Sequence, residues 1–206
     1  ITDFCPRFLQ YGRIYRPAAL FRIVEPLSGS PSVRVCCQPV SGWEKTPVRS
    51  VRGSSHLRYD IRGDYLRLLT NMPLTYLCGE TPVLLTSKMY FALTWGLGIE
   101  DDLVKVSHEF LDQTTKYWQT WVKQCSIPVI YQEEVIRSAL ALKLQCYEDT
   151  GAILAAPTTS LPEEPGGPRN WDYRYCWLRD AHFSLSAFHN LGQFEEMEGF
   201  LKFLLN

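Results

Sequence analysis

The sequence predicts a β-rich region followed by a helical region, that is, a multi-domain β-then-α fold. Short runs of branched and aromatic residues, separated by Gly, Pro, Ser and Asn, extend from about Gly12 to Trp95 and are typical of an all-β domain. The spacing of apolar residues then changes from two to three or four, which is typical of helices. Strands that precede helices without alternating with them indicate separate β and α domains.

The strands are predicted from alternating apolar and polar side chains. Ser32–Gln38 and His56–Ile61 alternate in this way, as expected of strands with one buried and one wet face. Arg13–Val24 and Pro82–Thr94 are longer candidates, and the second is nearly continuous in apolar residues. We therefore expect it to be a central strand. A β-sandwich is the architecture expected for residues 1–100.

The helices are predicted from apolar stripes. A linker helix is expected within residues 101–130, and the helices of an α domain within 131–206. These include Gln132–Cys146, then Asp180–Leu191 after a loop from Asp149 to Pro168, and a last helix after Gly192, which stands where a left-handed helix cap is usual. The apolar stripe of the linker helix is Leu103, Val106, Phe110, Tyr117 and Trp121, and that of the last helix is Phe194, Met197, Leu201 and Leu204.

Charge and hydropathy exclude two classes of partner. Lys plus Arg total 21 against 22 for Asp plus Glu, and neither sign forms runs, so nucleic acid is not an expected partner. No apolar stretch approaches the roughly 20 residues that cross a bilayer, so no membrane partner is expected and the chain is expected to be soluble. The oligomeric state is left open.

The seven cysteines form no Cys-x-x-Cys pair and are odd in number. We interpret them as reduced, buried, cytosolic thiols rather than as disulfides or zinc ligands. With no signal sequence at Ile1–Gln10, a cytoplasmic, bacterial location is expected. The four histidines show no ligand spacing, so no metal is expected.

The most unusual stretch is Asn170–Ala181, which interleaves aromatic rings with charges. If it runs extended, Tyr173, Tyr175, Trp177 and Arg179 point to one side. A pyranose offers apolar C–H faces for stacking and hydroxyls for charged hydrogen bonds, so these residue types match a sugar. The same pattern also describes an ordinary buried strand, with Arg179 and Asp180 as a surface ion pair and Asp180 as a helix cap.

This stretch resembles the substrate-binding motif of glycoside hydrolase family 15, the glucoamylases and their bacterial trehalase-like relatives. Three further segments share the resemblance, so that it covers nearly the whole chain: Asp3–Phe8, Leu20–Gly29 and Tyr147–Ser160. The resemblance implies an N-terminal β-sandwich followed by the first helices of an (α/α)6 barrel, incomplete in this chain. It also implies an inverting, exo-acting α-glucosidic hydrolase of carbohydrate metabolism that needs no cofactor.

Carried over by position, the resemblance implies that Arg179 and Asp180 bind hydroxyls of the terminal glucose. Trp177 would line the innermost subsite, and Tyr173 would lie against the reacting ring, where positive charge develops. Trp171 and Tyr175 match the motif less closely and are further candidates.

The resemblance places the catalytic acid and base beyond this chain, so no catalytic residue is expected in it. The chain opens with Ile1 and stops at Asn206 at the end of a helical pattern; we expect it to be an N-terminal fragment, inactive alone. The carboxylates of the Glu163–Glu164 loop are expected to be solvated. Three others, Glu195, Glu196 and Glu198, fit the first turn of a helix, where acidic residues are usual.

Two alternatives stay open at this point. The chain could belong to a non-catalytic carbohydrate-binding module, and the β region could be purely structural. The sequence does not choose among trehalose, maltooligosaccharide, isomaltose and dextran, nor does it name the organism or say whether the chain folds alone.

Overall fold

The chain divides into a β-rich region and a helical region, as predicted. The computed structural model describes residues 1–96 and 98–206. Within these residues the chain forms two compact units, Ile1–Trp118 and Gln119–Asn206. Strands dominate the first unit and helices the second.

The first unit consists of short strands and one short helix. They are β1 (Thr2–Phe4), β2 (Phe8–Gln10), β3 (Arg13–Tyr15), β4 (Ala19–Val24), β5 (Ser32–Val33), β6 (Val40–Ser41), β7 (Thr46–Pro47), β8 (Ser50–Arg52), β9 (His56–Ile61), β10 (Asp64–Thr70), α1 (Leu74–Cys78), β11 (Val83–Leu84) and β12 (Met89–Trp95). Six of the strands form one antiparallel sheet in the order β1-β4-β12-β10-β9-β8. The other strands of this unit pair as β2 with β3, β5 with β11 and β6 with β7.

The sheet has a core on each face. Phe91 and Ala92 are adjacent on β12, and because successive side chains of a strand point to opposite faces, they enter different apolar clusters. Ala92 packs with Phe21 and Val106. The cluster on the other face comprises Leu57, Tyr59, Leu68, Met72, Leu74, Leu77 and Phe91.

One of the strand predictions is confirmed and three are wrong in part. His56–Ile61 is β9 as predicted. The predicted central run Pro82–Thr94 divides into β11 and β12, and only β12 lies inside the six-stranded sheet. Arg13–Val24 is not one strand, because a turn at Pro17, closed by the Ala19 N–H donating to the Pro17 carbonyl at 2.8 Å, separates β3 from β4. Within Ser32–Gln38, only Ser32–Val33 is paired as a strand, β5.

The helices follow the apolar stripes. Predicted ends agree within two residues for the helices at Gln132–Cys146 and Asp180–Leu191. No described helix is long and apolar enough to cross a bilayer. The remaining elements are α2 (Leu103–Lys123), α3 (Gln132–Gln145), β13 (Cys146–Tyr147), β14 (Ala152–Ile153), α4 (Leu178–Asn190) and α5 (Phe194–Leu205).

Gly192 ends α4 in the way predicted. Its φ is +74°, in the left-handed region that favours glycine. The Gly192 N–H donates to the His189 carbonyl at 3.0 Å, and the Gln193 N–H donates to the Phe188 carbonyl at 2.9 Å. These two bonds define a Schellman motif, which satisfies the last carbonyls of α4 and turns the chain into α5.

The expectation that the cysteines are buried is wrong. All seven are free thiols; three are exposed and four are half-buried. The exposed ones lie on the sheet unit, at β-region loops and at the end of α1. They are Cys5, Cys36 and Cys78.

The core of the second unit packs α3, α4 and α5 around the β13–β14 hairpin. Its buried side chains combine aromatic anchors with small residues that let the elements approach. They are Trp121, Ala139, Ile153, Ala181, Phe188, Leu191 and Phe200.

A buried ion pair ties α3 to α5. Lys143 Nζ lies 2.8 Å from Glu196 Oε1, and the two side chains are only 11% and 4% exposed. The Trp121 indole N–H donates to the same oxygen at 3.1 Å, and Lys143 Nζ also lies 3.7 Å from Glu148 Oε1. Glu196 lies in the first turn of α5, as expected from the sequence, and it also forms a buried ion pair that the sequence did not predict.

The charge of Glu196 is set by two opposing effects. Burial on its own raises the pKa of the Glu196 carboxyl, but the hydrogen bond and charge of Lys143, together with hydrogen bonds from the backbone and the Trp121 indole, hold that pKa below its usual value. The carboxylate is therefore ionised at neutral pH. Because an isolated buried charge is costly, Lys143 must be present for α5 to dock in this way.

The turn of the β13–β14 hairpin lies directly on the backbone of α5. Gly151 has a φ of +86°, and a Cβ atom at this position would lie 2.1 Å from the Gly199 carbonyl oxygen. A side chain at Gly151 would thus meet backbone that cannot rotate away. Only glycine fits this contact.

Substitution of Gly151 by Ala is expected to destabilise the second unit strongly. Gly166 is the control, since its φ of +79° is similar and nothing lies within 4 Å of its would-be Cβ. Gly166→Ala carries only left-handed strain, about 1 kcal/mol. Gly151→Ala should cost at least ~2 kcal/mol more in urea unfolding; equal losses for the two variants would contradict the close contact.

Lys143→Met is expected to lower the free energy of unfolding by about 3–5 kcal/mol, because it leaves the Glu196 carboxylate buried without its partner charge. Lys116→Met is the control. It removes an ion pair to Asp112 of the same 2.8 Å length whose side chains are 71% and 70% exposed, and it should cost less than ~1 kcal/mol. If the two variants lost similar amounts of unfolding free energy, the prediction that the buried Lys143 pair matters more than an exposed pair would be contradicted.

The same pair predicts a pH dependence. Since the folded-state pKa of Glu196 is depressed, its contribution to stability is complete above the unfolded-state pKa, about 4.3, and is lost as pH falls through the folded pKa. In urea unfolding between about pH 5 and pH 2, the free energy of unfolding of Glu196→Gln should fall less with decreasing pH than that of the wild type. The same fall with pH in both proteins would contradict the prediction.

Candidate functional site

The segment singled out from the sequence is not extended. The chain turns at Tyr173–Tyr175, and α4 begins at Leu178. The turn forms because Asp172 Oδ1 accepts a hydrogen bond from the Arg174 backbone N–H at 3.0 Å, the local bond that Asp makes two residues ahead. Tyr173, Tyr175, Trp177 and Arg179 were expected on one side only if the segment ran extended, and that condition is not met.

Backbone pairing holds this segment to the chain that follows β14. The Ala156 N–H donates to the Tyr173 carbonyl at 2.8 Å and the Ala155 N–H to the Tyr175 carbonyl at 3.1 Å. The Tyr173 N–H in turn donates to the Thr158 carbonyl at 3.0 Å. Two segments that the sequence analysis singled out separately, Tyr147–Ser160 and Asn170–Ala181, are thereby brought together.

Three rings form an aromatic cluster, which we define as Trp171, Tyr173 and Trp177. Trp177 is at its centre: its ring centroid lies 6.4 Å from that of Trp171, edge to face at 72°, and 6.3 Å from that of Tyr173, tilted by 39°. The Trp177 indole N–H donates to the Asp172 carbonyl at 3.3 Å. Both tryptophans remain exposed and Tyr173 is half-buried, so the rings are fixed yet open to a ligand.

Tyr175 lies at the turn and is exposed. Its backbone carbonyl is the acceptor of the Ala155 N–H. The structure thus brings Trp171, Tyr173 and Trp177 together and leaves the Tyr175 side chain facing solvent.

Arg179 and Asp180 lie in the first turn of α4. Arg179 Nη2 is 3.2 Å from Asp180 Oδ2, and the two side chains are 71% and 31% exposed. The residue before the helix is Trp177, and it makes no side-chain capping bond. Asp180 is the third residue of α4, so it meets the positive end of the helix dipole instead of capping the helix as suggested from the sequence.

Asp172 and Arg174 form a second, bidentate ion pair. Arg174 Nε donates to Asp172 Oδ1 at 3.1 Å and Arg174 Nη2 to Asp172 Oδ2 at 2.9 Å. The Arg174 guanidinium holds the pKa of the Asp172 carboxyl below its usual value. Asp172 is therefore ionised at neutral pH and is not suited to be a proton donor there.

Glu163 contacts the aromatic cluster, which sequence reasoning missed. Its Oε1 accepts a hydrogen bond from the Trp171 indole N–H at 2.8 Å, and its Oε2 lies 3.6 Å from Arg169 Nη1. The carboxylate is exposed to solvent, as expected, but it also binds these two loop groups. No local pattern could have found the contact, because it joins residues eight apart across an irregular loop.

The arrangement is suited to binding a sugar. Exposed rings offer faces for C–H groups, and the Arg179–Asp180 pair, which follows Trp177 closely in the sequence, offers charged donors and acceptors for hydroxyls. In the described part of the chain, no three His, Cys, Asp or Glu side chains come close enough together to hold a metal ion.

The part of the chain that carries these residues matches a known protein family. Residues 129–206, which contain the aromatic cluster and the Arg179–Asp180 pair, match the model of glycosyl hydrolases family 15. The family resemblance predicted from the sequence is thereby confirmed. No solved structure matches the chain significantly.

Several similar proteins are named trehalases. That of Mycobacterium tuberculosis is 33% identical over 200 residues, which cover 90% of this chain and 29% of the relative. That of Thermoplasma acidophilum is 48% identical over 91 residues, covering 44% of this chain and 16% of the relative. The chain thus spans less than a third of the length of these relatives.

Proposed function

Because residues 129–206 of this chain are a segment of glycosyl hydrolase family 15, we propose that the chain contributes part of the glucose-binding pocket of an exo-acting α-glucosidic hydrolase. The observation that carries the proposal is the aromatic cluster, fixed but open to solvent, immediately before the Arg179–Asp180 pair. Trehalose is the favoured substrate, since the relatives that resemble the chain over 90% of its length are named trehalases.

The proposed roles follow from the chemistry of each side chain. Arg179 and Asp180 bind hydroxyls of the terminal glucose, where each charged hydrogen bond contributes roughly 1.5–3 kcal/mol. Trp177 lines the innermost subsite, and Tyr173 lies against the reacting ring, where an electron-rich ring favours developing positive charge. Trp171 supplies a further stacking surface. Tyr175, at the exposed turn, has the weakest support.

The acid and base of an inverting glycosidase are two carboxylates, and we place both outside these 206 residues. The carboxylates near the aromatic cluster are already engaged, Asp172 by Arg174 and Glu163 by Trp171 and Arg169. The chain covers only 29% of the length of the Mycobacterium tuberculosis relative, which supports placing the acid and base in the rest of the full-length protein. The 206 residues alone are then inactive.

The proposed architecture completes this view. Residues 1–100 form an N-terminal β-sandwich domain, residues 101–130 a linker helix, and residues 131–206 the first helices of an (α/α)6 barrel. The helical order α3, α4, α5 around a single core supports the barrel assignment.

Arg179→Ala in the full-length protein is expected to lower kcat/KM for trehalose about a thousandfold, equivalent to ~4 kcal/mol of transition-state binding. Arg137→Ala, which removes an exposed arginine on α3, should leave kcat/KM unchanged. Glucose release from trehalose, maltotriose and isomaltose is measured for both variants and for the 206-residue chain, which should release none.

Two results would contradict the proposal. Full activity of Arg179→Ala, with the fold unchanged by circular dichroism, would remove Arg179 from the pocket. A full-length protein that binds these sugars and hydrolyses none of them would instead be a non-catalytic carbohydrate-binding protein.

A further inference from the structure

The loop before the aromatic cluster is closed at its base. Pro162 and Asn170 form an antiparallel bridge, and the Glu163 N–H donates to the Arg169 carbonyl at 3.0 Å. Inside the loop the Gly167 N–H donates to the Glu164 carbonyl at 3.0 Å. This backbone pairing sets Glu163 across the loop from Trp171, the residue that follows the bridge.

Both oxygens of Glu163 are directed to groups of the loop. Oε1 accepts from the Trp171 indole N–H at 2.8 Å, and Oε2 lies 3.6 Å from Arg169 Nη1. An indole N–H can only donate and a carboxylate can only accept, so the two groups are matched. The Arg169 guanidinium lies nearer to Oε2 of Glu163, so Oε1 remains available to the Trp171 indole.

Trp171 is thereby held at two points. Its N–H is fixed by Glu163, and its ring meets Trp177 edge to face at 72°. Because Trp171 is exposed, packing alone leaves it free to change rotamer. The hydrogen bond is what distinguishes one ring orientation from the others.

We propose that Glu163 is a positioning residue for sugar binding, which keeps the Trp171 indole oriented against Trp177 so that a glucoside meets a preformed aromatic surface. The inference rests on the proposed function. Preorganisation lowers the entropic cost of binding, since the ring is ordered before the ligand arrives. Loss of the bond should therefore weaken substrate binding and leave the chemical step intact.

The first test compares three variants of the full-length protein on trehalose. Glu163→Ala should raise KM about five- to tenfold and leave kcat within about twofold, the signature of lost uniform binding. Glu163→Gln keeps an acceptor for the indole and should restore a KM close to that of the wild type. The control is Glu164→Ala, which removes the exposed neighbouring carboxylate and should have the same KM as the wild type.

The second test is a double-mutant cycle with Trp171→Phe, which keeps a ring and removes the N–H donor. If Glu163 acts through that bond, Glu163→Ala raises KM in the wild-type background and has no further effect in the Trp171→Phe background. An equal rise in both backgrounds would overturn the inference, as would a KM unchanged by Glu163→Ala.

The outcomes separate the inference from the proposed function. A wild-type protein that neither binds nor hydrolyses α-glucosides refutes the proposed function, and the positioning role with it. An active wild type whose Glu163→Ala variant matches it refutes only the positioning role.

Discussion

The buried pair of Lys143 and Glu196 is the interaction on which the helical unit depends. It joins α3 to α5, and through Glu148 it reaches the turn of the β13–β14 hairpin. The residues after β14 then pair with Tyr173 and Tyr175. The turn that carries the aromatic cluster is thus connected to a buried charge pair through a short path of backbone hydrogen bonds.

The helices of the second unit and the rings of the aromatic cluster are fixed by different kinds of contact. A buried charge is costly unless its partner is present, so loss of either Lys143 or Glu196 is expected to destabilise the docking of α3 against α5. The rings of the aromatic cluster are not fixed by burial, which is compatible with the proposed role in sugar binding. Backbone pairing, the Asp172 turn and the Glu163 carboxylate fix them instead, and each leaves the ring faces open.

Local periodicity was enough for the longer helices and for β9. The alternation in His56–Ile61 and the apolar stripe of Gln132–Cys146 predicted a strand and a helix that the structure contains, and Gly192 predicted the end of α4. Each of these depends on neighbours a few residues away. Arg13–Val24 failed because a turn at Pro17 interrupts a run whose apolar content is otherwise typical of a strand.

The site was predictable in composition and not in geometry. The residue types of Asn170–Ala181 indicated a sugar, but the Asp172 hydrogen bond that bends the segment competes with an extended backbone in a way that alternation does not reveal. The partners of Glu163 and Glu196 lie across a loop and on other helices. Solvation explains acidic residues in a loop, and the helix dipole explains those in a first helical turn. The sequence around Glu163 and Glu196 therefore did not predict these contacts.

The central claim is that a glucose ring packs on the aromatic cluster. The most direct measurement is a trehalose titration of the full-length protein followed by the indole N–H signals of its tryptophans in NMR. The account predicts that the Trp171 and Trp177 signals shift saturably with one dissociation constant, while that of exposed Trp43 in the sheet unit stays in place. Saturable binding that leaves both Trp171 and Trp177 unmoved would contradict it.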